Sequence, residues 1–336
     1  MDAALALAIG LAFAFALTNG FHDASNAIAT LVATRAATPA QAIVLAAVFN
    51  MLGPILVGSA VAATIAGIVQ VPPDQAVTVI GAGLIGATSW NLLTWWRGLP
   101  SSSGQALVGG LVGAALVEGG TSAVNWGGFD GWRPVGVIGT LVALAISPVI
   151  GAVAAFLFLR LLRRSLRRGS ARLRTPVNRS QWAGAAALAF SHGSNDAQKA
   201  VGLVAALLLA AGKTESLSAP LWATVGSAAA LTLGTAFGGW RIVKTIGQRI
   251  YRIRALDGFS SQASSSAVIL GASFLGAPIS TTHVVASSIV GIGAGRRRWH
   301  HIRWEIVREM GIAWLTTIPA SALIAAVSFM IWRWVA

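Results

Sequence analysis

Apolar residues run along this chain in long unbroken blocks rather than in alternation. A bilayer's hydrocarbon core takes about 20 apolar residues to cross as a helix. Six blocks reach that length or close to it, over residues 3–33, 41–68, 134–159, 182–211, 221–240 and 307–332. The first and fourth are longer than a crossing needs and are interrupted by polar residues. Two more stretches, 76–117 and 259–292, are apolar but broken by Gly-Pro-Ser/Thr clusters. Their uneven arms predict hairpins that enter the membrane and return to the face they left. Backbone groups in oil must be satisfied within the spanning structure. The continuous blocks select helices over a transmembrane β-barrel, whose strands alternate apolar and polar positions. The fold expected is an all-α polytopic membrane protein.

Composition supports this. Of the 336 residues 55% are hydrophobic and 10% charged, where a soluble domain carries roughly 25% charged residues. The mean hydropathy is +0.73. There is no cysteine, which excludes disulfides, thiolate catalysis and cysteine metal sites. Met1-Asp2-Ala3 lacks the basic start of a cleaved signal peptide. A net charge of +14 would suggest a nucleic-acid partner in a soluble protein. Here topology explains it, and no nucleic acid is expected.

The basic residues cluster between spans. Arg160, Arg163, Arg164, Arg167, Arg168, Arg172, Arg174 and Arg179 crowd one loop, and Arg241, Lys244, Arg249, Arg252 and Arg254 a second. Arg296, Arg297, Arg298, Arg303 and Arg308 flank a third, and Arg35 lies in the first short loop. With six spans and two returning hairpins, all of these fall on one face. Asp2, Asp74, Glu118, Asp130 and Glu215 fall on the other. The positive-inside rule then puts the basic loops in the cytoplasm and both termini outside, in a cell's inner (plasma) membrane. Leu161, Leu162, Leu166 and Leu173 interleave with the arginines of 160–174, a pattern that predicts an amphipathic helix on anionic headgroups.

The two halves of the chain resemble each other. Each has a polar-broken span, a plain span, a Ser/Thr-tipped hairpin and a final span. Gly20-Phe21-His22-Asp23-Ala24-Ser25-Asn26 in the first aligns with His192-Gly193-Ser194-Asn195-Asp196-Ala197-Gln198-Lys199 in the second, so that Asp23 matches Asp196 and Asn26 matches Lys199. The hairpin break 98–104 likewise matches 276–283. One half starts outside and the other inside, so the expected organisation is a first inverted repeat over 1–159, a basic cytoplasmic loop over 160–179 and a second inverted repeat over 180–336. Inverted repeats with broken helices are the architecture of secondary transporters, whose sites lie near the bilayer midplane.

Asp23 and Asp196 are the first candidate chemistry. An aspartate at the centre of a membrane helix costs roughly 2.5–3.5 kcal/mol on insertion scales, and two such costs call for a role. Asp23 and Asn26 are three apart and share a helix face. With Asn19 and Ser25 they offer hard oxygen ligands suited to Na⁺ or a proton. Asp196 and Lys199 share a face in the same way, and the lysine ammonium can fill the space of a sodium ion. The alternative is a packing ion pair, although buried pairs are seldom net stabilising. His22 and His192 adjoin the aspartates as scaffolding or as proton relays, since imidazole titrates near neutral pH.

The hairpin tips are the second constellation. Pro100 precedes Ser101, Ser102 and Ser103, and Pro278 precedes Ser280, Thr281 and Thr282. Hydroxyls there suit N-capping, and helix N-termini favour anions. Two tips meeting from opposite faces would form a donor-rich anion site. Gly109, Gly110 and Gly113, just beyond the first tip, fit close helix packing.

With these motifs the chain resembles the PiT family of inorganic phosphate transporters, over nearly its whole length. That family carries a Gly-x-Asn-Asp-x-x-Asn motif near the start of each half and Pro-Ser-Ser/Thr-Ser-His-like tips. The resemblance implies import of phosphate by symport with a cation, with no enzymatic activity and no cofactor, usually as a homodimer. Phosphate would bind at Ser101, Ser102, Ser103, Ser280, Thr281 and Thr282. The coupling ion would use Asp23, Asn26, Asn195, Asp196, Lys199, His22 and His192, and a sodium ion would draw on Asp23, Asn26, Asn195 and Asp196. His22 replaces the first Asn of the first motif, and Gln198-Lys199 replaces Ala-Asn in the second. This variant resembles the bacterial branch coupled to protons, which often carries neutral metal–phosphate, so H⁺ is the expected partner and Na⁺ the alternative. Sulfate or another tetrahedral oxyanion is the alternative cargo. A channel would need no buried acid–cation couple. A serine hydrolase built on Ser103 or Ser280 with His283 lacks the Gly-x-Ser-x-Gly elbow.

Overall fold

The computed structural model describes residues 2–130, 133–166 and 174–335. Among them are twelve α-helices: α1 (Ala3–Ala33), α2 (Pro39–Val57), α3 (Ala60–Ala66), α4 (Pro73–Arg97), α5 (Ser103–Gly119), α6 (Gly136–Ser165), α7 (Arg174–Ala210), α8 (Leu221–Phe237), α9 (Trp240–Lys244), α10 (Ala255–Phe274), α11 (Thr281–Gly295) and α12 (Trp304–Val335). Several are long and apolar enough to cross a bilayer, among them α1, α2, α4, α6 and α12, and α8 reaches that length with the bent segment that follows it. The chain is thus an all-helical, multi-span membrane protein with a broken helix pair.

Two expected spans are interrupted. The block 41–68 splits into α2 and α3 at Gly58, whose φ of 94° leaves the helical region. The block 221–240 ends α8 at Phe237, and the chain bends by 65° before continuing to Arg249. Gly238, at φ 66°, makes that bend, which puts carbons where most residues would clash. The arms of the first hairpin are also longer than their composition suggested. At 1.5 Å per residue the 25 residues of α4 reach ~38 Å, and both α4 and 103–123 are apolar enough to cross. A small antiparallel ribbon, β1 (Gly128–Asp130) with β2 (Arg133–Val135), departs from the all-helical expectation in the loop before α6. The basic segment 160–166 continues and ends α6. The rest of the expected interfacial helix, with Arg167, Arg168 and Arg172, lies outside the described residues.

α1 and α7 cross the centre in opposite directions. Residues 5–16 of α1 share one apolar core with 200–208 of α7, whereas residues 27–31 share the other core with 185–189. The remaining helices do not stay within their own half of the chain. α1 packs on α8, and α7 packs on α2. The hairpin α4–α5 packs on α12, and the hairpin α10–α11 packs on α6. Elements therefore exchange in matched pairs, and the sequence halves interleave in space. Glycines make the closest crossings possible. A Cβ on Gly20 would lie 2.1 Å from Leu231 O of α8, and one on Gly53 2.3 Å from Phe190 O of α7. Gly109 and Gly113 face the α12 backbone, and Gly110 faces Gly83 on α4. The lipid-facing side chains include Val44, Leu56, Val149, Leu157, Leu233 and Leu315 on α2, α6, α8 and α12.

Candidate functional site

Both hairpin turns are built in the same way. α4 ends at Gly98, in the left-handed region at φ 68°, with Leu99 N bonded to Thr94 O. α10 is followed by Gly276, also at φ 68°, with Ala277 N bonded to Ala272 O. This six-to-one bond with a left-handed glycine is a Schellman stop. Each proline then precedes a serine that caps the next helix. Ser102 Oγ accepts from Gln105 N at 3.2 Å, and Ser280 Oγ accepts from His283 N at 3.2 Å. The capping hydroxyls of Ser102 and Ser280 thus hold the tips, and their neighbours face inward.

Those neighbours meet the two acids. Ser103 Oγ donates to Asp23 Oδ2 at 2.9 Å, and Thr282 Oγ1 donates to Asp23 Oδ1 at 2.7 Å. Thr281 Oγ1 donates to Asp196 Oδ2 at 2.8 Å. Asn26 Nδ2 donates to Thr281 Oγ1 at 3.3 Å and to Thr282 Oγ1 at 3.0 Å. Hydroxyls of the first tip and the second therefore bind one carboxylate, Asp23. Asp23, His192 and Asp196 bring ligand atoms within 4.8 Å of one another, all buried. Asp23 is 1% exposed and Asp196 0%.

Lys199 holds Asp196 through its Nζ, which also donates to Ile279 O in the second tip at 3.2 Å. The same ammonium reaches the first tip: a Cβ on Gly104 would stand 3.1 Å from it. A larger residue at 104 would press on the lysine. His192 Nε2 lies 3.0 Å from Asp196 Oδ2, off the line of a hydrogen bond, and its Nδ1 is 3.1 Å from Asn50 Oδ1. Asn50 in turn donates to Thr235 Oγ1 of α8 at 3.0 Å. His22 Nδ1 is 2.9 Å from Asp23 Oδ1, and its Nε2 is 3.2 Å from Thr94 Oγ1 and 3.3 Å from Ser101 Oγ.

The expected site residues divide by surroundings. Asp23, Asn26, Asp196, Lys199, Ser103, Thr281 and Thr282 form one hydrogen-bonded cluster, with His22, His192 and Ser101 on its edge. Asn195 donates instead to Ser273 Oγ at 3.1 Å and Ala277 O at 3.3 Å, so it ties α7 to α10. Asn19 and Ser25 are buried, and among the described residues their side-chain atoms have no partner. Gln198 Oε1 accepts from Val61 N at 2.9 Å, so it anchors the broken helix α3 to α7. The oxygens Asn26 Oδ1 and Asn195 Oδ1 are buried and, among the described residues, unpartnered.

Residues outside the expected set also join. Thr94 and Asn50 complete the histidine networks. Trp314 of α12 donates to Pro100 O at 3.0 Å, and its ring packs on His283 with centroids 4.0 Å apart. One indole thus touches both tips. Each is a lone polar or aromatic residue on an apolar helix, a weak signal in a sequence.

Comparison with known proteins agrees with this architecture. A family model described as the phosphate transporter family matches residues 19–325. A Bacillus subtilis protein described as a probable low-affinity inorganic phosphate transporter is 39% identical over 98% of this chain and 98% of its own. A Rhizobium meliloti protein with the same description is also 39% identical, again over 98% of both chains. A solved structure of a sodium-dependent phosphate transporter superposes over 100% of both chains with a TM-score of 0.87 at 25% identity. The paired hairpin tips, the twin aspartates and a family match running from the first motif into the last span together establish that this chain belongs to the phosphate transporter family.

Proposed function

We propose that this protein imports inorganic phosphate by symport with a cation, that the cation is a proton exchanged at Asp23, and that phosphate binds between the hairpin tips. One observation carries this reading: Asp23 and Asp196 meet hydroxyls from both tips in a single buried cluster. Phosphate near neutral pH is an anion of one to two charges. Two unit charges 4 Å apart repel by about 4 kcal/mol at an effective dielectric of 20. Anionic cargo beside two ionised acids therefore requires positive charge. Lys199 supplies one charge permanently, against Asp196. Asp23 has no lysine or arginine beside it, and its neighbour His22 bears charge only when it has itself taken up a proton, so the site takes its second cation from solution on each cycle. When Asp23 is neutralised, Ser103 and Thr282 are released to donate to phosphate. Ser101, Ser102, Ser280 and Thr281 complete the donor set. Discharge of the site by joint binding is what lets it move between faces.

The same arrangement favours phosphate over sulfate. A protonated phosphate can donate a hydrogen bond where sulfate cannot, and a free acceptor then discriminates strongly. Asn26 Oδ1, buried beside the second tip and unpartnered among the described residues, is such an acceptor. Neutral metal–phosphate is a second form of the cargo, since the metal cancels its charge.

Sodium is the second reading, supported by Asn26 Oδ1 and Asn195 Oδ1, buried oxygens without a partner. With Asp23 and Asp196 they offer the hard oxygens that Na⁺ prefers. The topology in this reading is two inverted repeats, 1–159 and 180–336, joined by the basic segment 160–179, with re-entrant hairpins and both termini outside. The opposed directions of α1 and α7 and the matched exchange of helices support it. Exposed tryptophans beside the basic segments, Trp96, Trp240, Trp299 and Trp304, suit an interfacial belt on that face. The homodimer rests on the family resemblance.

Purified protein in liposomes tests the coupling. An inward proton gradient should drive phosphate accumulation without sodium, and sulfate should compete poorly. Uptake that requires sodium and ignores pH would transfer the role to Na⁺.

A further inference from the structure

A cavity of about 1100 Å³ opens on the face that carries the basic loops. Three segments far apart in sequence wall it: the end of α1 over 32–35, the run 247–255 leading into α10, and the loop 298–303. Arg35, Arg249, Arg252, Arg254, Arg298 and Arg303 line it. His301 adds an imidazole, and no aspartate or glutamate faces it. Among the described residues, none of these six guanidinium groups has a carboxylate within 4.0 Å. Asp257, three residues beyond Arg254, is already held by Arg296 Nε at 2.6 Å and by Arg254 N at 3.0 Å, and Glu305, two beyond Arg303, does not line the cavity.

A row of surface arginines is usually a solvated face, and the positive-inside rule alone would put arginines here. Concavity makes this set different. Like charges gathered in a cleft focus their field and repel one another, and an anion in the cleft relieves that repulsion. The guanidinium fork matches phosphoryl oxygens in pairs. One phosphate would engage two or three such forks. Six forks around a space of this size fit a ligand with several phosphoryl groups. Buried Ile250, Tyr251 and Ile253 fix the backbone that displays Arg249, Arg252 and Arg254.

We propose that this cavity binds an anion bearing two or more phosphoryl groups, and that occupancy slows transport. The site is separate from the transport cluster, and the proposal goes beyond the symport reading. A ligand bridging the three walls would tie α1, which carries Asp23 and Asn26, to α10, which carries the second hairpin. In the proposed mechanism, movement of the site between faces shifts those elements relative to each other. Such phosphoryl groups can come from a soluble polyphosphate or nucleotide, or from an anionic lipid headgroup.

The test uses the full chain in nanodiscs of neutral phosphatidylcholine, with inorganic tripolyphosphate as the probe. Tripolyphosphate should raise the melting temperature by about 3 °C or more, at concentrations where orthophosphate raises it little. The Arg252→Gln/Arg298→Gln/Arg303→Gln variant should lose that shift. A variant of equal charge loss, Arg160→Gln/Arg163→Gln/Arg164→Gln, should keep it. In a second arm, nanodiscs containing cardiolipin and no added anion should stabilise the wild type over the cavity variant if the headgroup is the source. Equal responses of wild type and cavity variant in both arms would overturn the proposal. Tripolyphosphate on the basic face should also slow phosphate counterflow several-fold in the wild type and not in the variant. Without tripolyphosphate the cavity variant should exchange phosphate within twofold of wild type. Loss of that exchange would place the arginines on the transport path and overturn a separate site. Failure of the binding arms with counterflow intact would leave the symport reading standing.

Discussion

One lysine ammonium among two buried carboxylates leaves a negative charge over, and phosphate adds more. Lys199 touches Asp196 and the carbonyl of Ile279, and it lies against Gly104. It thus sits between the tips, where in the proposed mechanism it takes the place of a transported cation. Lys199→Asn restores the asparagine found at Asn26 in the matching motif, and uptake should then gain a dependence on sodium. Uptake by that variant measured across sodium concentrations checks this, and a flat response would mean that the lysine does not stand in for an ion. Thr282 donates to Asp23 and accepts from Asn26. Thr282→Val removes one bond from each of two buried groups, leaving Thr281 Oγ1 for Asn26 Nδ2 and His22 Nδ1 for Asp23 Oδ1, and a net hydrogen bond is worth roughly 0.5–1.5 kcal/mol, more to a charged group. Turnover in that variant should fall about ten- to hundredfold, with Thr282→Ser close to wild type. Equal rates in both variants would show that the hydroxyl has no role. Asp23 and Asp196 were legible in the sequence because carboxylates are rare in oil. Thr282 as a partner of Asp23 was not, because 259 residues separate them.

Helices in this fold cross at glycines and break at glycines. Gly53 of α2 lies against the α7 backbone at the start of the Asp196 motif, and a Cβ there would come 2.5 Å from Ser194 N. Gly53→Ala should force α2 away from α7 and lower stability by about 1–3 kcal/mol. A thermal melt in detergent reads this, and an unchanged midpoint would contradict the close crossing. Trp314 links the tips through Pro100 O and the His283 ring. Trp314→Phe keeps the ring contact but frees the carbonyl, so it should change turnover more than expression. The long apolar runs of α1, α6 and α12 made those helices plain in the sequence. The break at Gly58 is hidden because both neighbouring arms are apolar, and hydropathy averages over a kink; Gly238 lies at the end of its apolar block, where the sequence shows only the change to the basic arm with Arg241, Lys244 and Arg249. The expected stretch 76–117 nearly matches the extent of α4 and α5, but the Ser/Thr cluster between them does not show that each arm is long and apolar enough to cross.

At the scale of the whole molecule, the two sequence halves interlock. α2 leaves its own half to pack on α7, and α8 packs on α1. The proposed repeat rests on elements matched in order along the chain, and the exchange of partners is not legible there, because a motif fixes no neighbour. The proposed orientation puts the basic loops inside and both termini outside. The chain lacks cysteine, so single cysteines report sidedness cleanly. Ser122→Cys, in the exposed loop after α5, should react with an impermeant maleimide in intact cells, and Arg297→Cys only after permeabilisation. The reverse pattern would invert the topology. A hairpin that crosses fully and one that re-enters leave the same parity, so this assignment does not depend on how deep the tips reach.

The most direct measurement follows phosphate and protons together in one preparation of proteoliposomes, for wild type and Asp23→Asn. On adding phosphate outside, the wild type should acidify the lumen as it accumulates phosphate, without sodium present. Asp23→Asn should do neither, while still melting as a folded protein. Accumulation by Asp23→Asn with the same proton entry would show that the coupling charge is carried elsewhere.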